Sequence, residues 1–182
     1  MRIEKNKNQL LLAALAVGFF VGILYENFLA GKQGTVPELF QKNYLQKYLQ
    51  IKVVTRKYLW YVVKERALVL GVCCMLGLMK WKRIAAFICL ILFGFFFGIL
   101  SVSAVLQMGL GGLLFCVAGL FPHGFFYGMG FVVIFYHWYR YPNRKWDRMK
   151  SLFVIATFLV GILAEVYVNP WIMKWIIPIV LK

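Results

Sequence analysis

Long apolar runs separated by short, mostly basic connections set the plan of this chain. Four runs can cross a ~30 Å hydrocarbon layer at ~1.5 Å per residue: Leu10 to Ala30, Ile84 to Leu106, Leu113 to Trp138 and Leu152 to Val168. A fifth, Ala67 to Met79, is short and crosses only with Tyr61 to Val63 added upstream, or by snorkelling and local thinning. The pattern predicts an all-α integral membrane protein of about five transmembrane helices, a single polytopic membrane domain over residues 1–182.

The fourth run contains Pro122-His123-Gly124, with no Asp, Glu, Lys or Arg and no other His before His137. Proline removes a helix donor and clashes with the preceding turn. In lipid, the freed backbone groups must be taken up by protein or a wet cavity, so the break marks an inner, non-lipid place. Two arrangements fit. Either the fourth span is Phe121 to Tyr139, with Gly109 to Leu120 lying along the surface, or Gly111 to Leu120 dips in as a re-entrant half-helix and places His123 deeper.

Between the first two spans, Gly31 to Arg66 forms a connection in which Pro37-Glu38 opens a helical pattern. Leu39, Phe40, Tyr44, Leu45, Tyr48 and Leu49 share one side, and Lys42, Lys47 and Lys52 fall between them. This is an amphipathic helix, either lying on anionic headgroups or docking another protein.

Composition agrees: 63% hydrophobic and 15% charged residues exceed what a soluble core of this size can hold. Arg2, Lys5 and Lys7 precede the first run, which ends in Tyr25-Glu26-Asn27 rather than a small-residue cleavage pattern, so it reads as an uncleaved anchor. The net charge of +15 flanks apolar spans, which favours anionic lipid and not nucleic acid as the partner. With five spans, the N-terminus, Lys80 to Arg83 and Arg140 to Lys150 fall on the cytoplasmic side, while Gln107 to Gly112 and the C-terminus after Pro170 fall outside. The connection 31–66 is then extracytoplasmic, although it carries eight Lys or Arg against Glu38 and Glu65.

The pattern GFFxG occurs three times, at Gly18 to Gly22, Gly94 to Gly98 and Gly124 to Gly128. Glycines four apart share a helix face and admit another backbone, which predicts helix packing or, through one such face, a homo-oligomer. A second echo pairs Val21-Gly22-Ile23-Leu24-Tyr25-Glu26 with Val160-Gly161-Ile162-Leu163-Ala164-Glu165. Each glutamate follows a glycine by four residues and so shares its packing face. A carboxylate at such a place needs a partner or has a function. Glu26 and Glu165 are expected near the outer end of the bundle, either clustered with His123 or each bonded separately at the interface.

Catalytic chemistry is not evident: the chain has no HExxH, no GxSxG and no cysteine spacing for zinc, so no enzyme, metal or cofactor is expected. Cys73, Cys74, Cys89 and Cys116 read as small buried thiols, and Ser101 and Ser103 as back-bonded to their own helix. Tyr136 to Tyr141, with His137 and Trp138, read as an interfacial aromatic belt. Asp147 lies among basic residues, where surface ion pairing is expected.

Gly98, the Gln107-Met108-Gly109 turn with Gly112, Leu120-Phe121-Pro122-His123-Gly124, and Ala164-Glu165-Val166-Tyr167-Val168-Asn169-Pro170 together resemble the stage II sporulation protein M family. The resemblance covers most of the chain and is strongest from Phe93 onward. It implies a non-enzymatic scaffold in the mother-cell engulfing membrane that organises peptidoglycan-degrading partners, stage II sporulation proteins D and P. It also implies Pro122, His123, Gly124, Glu165 and Pro170 as motif residues. Broader relatives place a glutamate where this chain has Tyr127, so a His-Glu pair within one helical turn is absent here. A permease-like subunit, with Glu26, His123 and Glu165 lining a solute or ion path, is the alternative from another class.

Overall fold

The structure, a computed structural model, describes residues 2–33, 42–50, 55–141 and 146–180. Its regular elements are all helical: α1 (Arg2–Gln33), α2 (Lys42–Gln50), α3 (Thr55–Leu78), α4 (Lys82–Met108), α5 (Leu110–Leu120), α6 (His123–Arg140), α7 (Arg148–Leu163), a π turn (Ala164–Val168) and α8 (Asn169–Val180). Among the described residues, three stretches are long and apolar enough to cross a membrane: Gln9–Phe28, Lys82–Met108 and Arg148–Val180. The pair Leu110–Leu120 and His123–Arg140, bent by 66°, makes a fourth if taken as one span.

The helices form two compact units, 1–48 with 87–116, and 49–86 with 117–180. In the first unit, α1 and α4 meet through their glycines. A Cβ added at Gly18 would run into the Ile91 carbonyl, and one at Gly22 into the Phe95 carbonyl. Gly94 likewise faces the Leu15 carbonyl, and Gly98 the Phe19 carbonyl. Contact positions rise together along both helices, so α1 and α4 run parallel. Phe20 and Phe96, between the glycines, are exposed.

Beyond Met108 the chain reverses at Gly109, whose φ of 61° is a left-handed conformation costly for residues with a Cβ. The expected connection Gln107 to Gly112 thus reduces to this single residue between α4 and α5. Gly112 then lies against the Ala104 carbonyl, and the Cys116 Sγ stands 3.8 Å from the Leu100 carbonyl oxygen. Contact positions now run in opposite directions, so this part of α5 is antiparallel to α4.

In the second unit α6 and α7 pack antiparallel. Gly130 receives the Phe158 ring and Gly161 the Tyr127 ring. Tyr127, Ile134 and Trp138 on α6 are buried, as are Val154 and Phe158 on α7. Both sets follow helical spacing, as expected for a helix pair buried along one face.

Several expectations are corrected. Thr55 to Arg66 is helix continuous with the short apolar run, which gives α3 24 residues. The amphipathic helix is described as Lys42–Gln50; its expected start at Pro37-Glu38, and Lys52, lie outside the described residues. Leu45 on its apolar side is buried, whereas Tyr44 is exposed. The last helix does not end near Pro170 but continues to Val180. Within the aromatic run, His137 and Trp138 are buried, the indole lying over Gly77, while Tyr136 and Tyr139 are half-buried and Tyr141 is exposed. Cys74 is exposed and Cys89 half-buried, so only Cys73 and Cys116 match the expected buried thiols. Among the described residues, the third GFFxG copy meets no other backbone: Gly124 meets the Leu120 side chain, and nothing lies within 4 Å of a Cβ at Gly128.

Candidate functional site

Glu165 lies within the π turn. Pro170 has no N–H to give the Val166 carbonyl, and its ring crowds that carbonyl. The helix widens just before it, with the Asn169 N–H donating to the Ala164 carbonyl one residue further back than in an α-helix. π turns are rare and recur at functional sites.

Glu165 is buried on the face it shares with Gly161. Because Gly161 has no side chain, the Tyr127 ring lies against it, and the tyrosine hydroxyl donates to Glu165 Oε2 at 2.7 Å. Arg66, from α3, completes the carboxylate. Its Nε donates to Oε2 at 3.0 Å and its Nη2 to Oε1 at 2.7 Å, a bidentate pair. The guanidinium also stands over the Tyr127 ring, 4.9 Å from its centroid. One carboxylate therefore ties three helical elements together. By rise per residue it lies ~25 Å along the helix from Arg148.

His123 begins α6 directly after Pro122, whose peptide bond from Phe121 is cis. Its ring stands edge-on to Tyr127 with centroids 5.9 Å apart. Glu165 and Arg66 both lie close enough to act on it electrostatically. Its Nδ1 is buried without a hydrogen-bond partner.

The other predicted glutamate is in the first unit. Glu26 extends the face of Gly18 and Gly22 by one turn and accepts a 2.6 Å hydrogen bond from Ser103. Of the two serines, Ser101 bonds its own helix at the Phe97 carbonyl, as expected, while Ser103 reaches across to α1. Glu26 and Glu165 thus belong to separate units and have separate partners.

Sequence alone does not mark Arg66 or Tyr127 as site residues: Arg66 is the last charge of a connection, and Tyr127 a departure from a pattern. The available signal was Glu165 itself, because an intramembrane carboxylate needs a cation. Among the 21 Lys and Arg, nothing local marked Arg66 as that cation.

Among the described residues the protein is all-helical, and its three helices long and apolar enough to cross a membrane, or four with the bent pair, support a multi-pass membrane protein. No family model, no curated protein and no solved structure matches the chain.

Proposed function

We propose that this chain is a non-enzymatic membrane scaffold that organises peptidoglycan-degrading enzymes during forespore engulfment, in the mother-cell engulfing membrane. The carrying observation is the Glu165 carboxylate, held by Arg66 and Tyr127 together. A carboxylate bonded in this way works as a strut between helices, which suits a rigid platform better than a proton carrier or a general base. The partner class follows from the sequence resemblance, which implies stage II sporulation proteins D and P.

In this reading the chain crosses five times, with the fourth crossing broken at Pro122. Parallel α1 and α4 support the odd count. Two helices crossing in the same direction need a return between them, and α3, ~36 Å long at 24 residues, can supply it. α2 is extracytoplasmic in this reading. Within the second unit, Arg83 Nε donates to the Tyr141 carbonyl at 2.8 Å, and Lys82 stands over the Tyr141 ring. The antiparallel course of α5 beside α4 supports the half-helix that dips inward. Alkaline phosphatase fused after Gln50 is expected to be active, and fused after Trp81 inactive. Equal activity at both points would remove the α3 crossing.

The docking element is α2, which presents exposed Tyr44 and Lys47. Tagged protein from sporulating cells is expected to co-purify peptidoglycan hydrolases, and Tyr44→Glu with Lys47→Glu to reduce recovery about tenfold, the equivalent of ~1.4 kcal/mol. Undiminished recovery would move the docking surface elsewhere, and absence of hydrolases would overturn the scaffold.

The unpartnered His123 Nδ1 favours a second reading, a permease-like subunit whose path passes His123. Solute or ion flux in vesicles that is lost with His123→Ala would establish it.

A further inference from the structure

A cavity of about 500 Å³ lies in the second unit between α3, α6 and α7. This is within the ~300–1,000 Å³ of small-molecule sites. Its polar groups gather at one end. Leu70, Cys73, Ile134 and Val154 line the apolar part, while Lys82, His137, Trp146 and Ser151 line the other. Trp146 is fixed there by a 2.6 Å hydrogen bond from Nε1 to Ser151 Oγ, and its ring stands edge-on to His137 with centroids 4.8 Å apart.

Three observations indicate what the cavity takes. The wall reaches the exterior at Leu78, Ile155 and Cys74, all exposed, so the apolar part is continuous with the outer apolar surface. His137 is only 8% exposed, yet its Nδ1 has no hydrogen-bond partner. Lys82 and Lys150 both act on this imidazole electrostatically, against one nearby acid in sequence, Asp147 beside Trp146. An apolar chamber open to lipid, with a cationic and hydrogen-bonding end, matches an amphiphile carrying a negative headgroup.

We propose that this cavity binds an anionic glycerophospholipid, with an acyl chain between α3, α6 and α7 and the phosphate at Lys82 and His137. The chain enters sideways past Leu78 and Ile155, so the site is filled from the membrane. Because the acyl chain passes from one apolar medium to another, its burial adds little net affinity, and the basic end supplies the preference for an anionic headgroup.

Cys74 allows a test on the unmodified protein, since it lines the cavity and is exposed. In detergent, phosphatidylglycerol at ten times its Kd is expected to slow maleimide alkylation of Cys74 about tenfold, by occupancy. Phosphatidylcholine and inorganic phosphate should slow it far less, and Cys74→Ser should remove the signal. Lys82→Glu should bring protection by phosphatidylglycerol down to that by phosphatidylcholine while the protein remains folded by circular dichroism. Equal protection by both lipids in the unmodified protein would overturn the headgroup site. Protection by inorganic phosphate alone would replace the lipid with a free anion, and no protection by any of them would overturn the cavity as a binding site. A folded Lys82→Glu protein that still prefers phosphatidylglycerol would overturn the assignment of the phosphate to Lys82.

Discussion

Glu165→Ala is expected to destabilise the second unit by about 3 kcal/mol, at the lower end of the cost of removing one partner from a buried ion pair. The lower end applies because the Arg66 side chain keeps 33% of its surface exposed, against 11% for Glu165. The loss comes less from the missing attraction than from what remains. Arg66 would keep its charge among apolar helices with no carboxylate to receive its two donors, and the Tyr127 hydroxyl would lose its acceptor. Arg66→Leu alone should cost a similar amount for the mirror-image reason. The double variant Arg66→Leu with Glu165→Met should cost less than either single change, since no unpaired charge is left and only the tyrosine hydroxyl stays orphaned, at about 1–3 kcal/mol. Tyr127→Phe alone removes one charge-assisted bond and leaves the bidentate pair, so it should be the mildest of the set. Unfolding in mixed micelles, followed by circular dichroism, measures all four. Additive losses in the double variant would show that Arg66 and Glu165 do not act as a pair.

The same residues show what sequence could reveal. That Glu165 lies on a packing face was legible, because Gly161 precedes it by one turn and glycine in an apolar helix signals close approach. What meets that face was not legible, since the Tyr127 ring comes from another helix and the Arg66 guanidinium from a third. Pairing across 99 residues of sequence leaves no local trace. The widening at Ala164–Val168 was hidden for a different reason. Pro170 announces a broken ladder, but whether a helix ends there or loosens by one residue depends on tertiary packing, and here α8 continues to Val180. Likewise, Arg56, Lys57 and Lys64 masked the first half of α3, because hydropathy counts charge while a helix can place it on an exposed face. The apolar elements with long uninterrupted runs were the readable ones, and α1 and α4 also carried their mutual contact in the repeated glycines.

That contact gives the second large effect. Gly22→Ala and Gly98→Ala are each expected to destabilise the first unit by at least the ~1–3 kcal/mol typical of overpacking, and Gly22→Leu to prevent accumulation of folded protein. The obstacle in each case is main chain: the Phe95 carbonyl faces Gly22, and the Phe19 carbonyl faces Gly98. A side chain in the way could rotate aside, whereas a carbonyl moves only if the whole helix moves. α1 and α4 must therefore separate along the contact, which also draws Glu26 away from Ser103 one turn further on. The two alanine changes should be less than additive, because the first, by separating the helices, makes room for the second. Gly71→Ala and Gly128→Ala provide the comparison. Among the described residues, neither position has a neighbouring atom beyond its own helix turn within 4 Å of the new Cβ, so each should be neutral or gain up to ~1 kcal/mol from helix propensity. Folded yield and micellar unfolding of the four variants separate the cases. Loss at Gly128 comparable to that at Gly22 would mean that the third GFFxG copy also meets another backbone, supplied by a second copy of the chain.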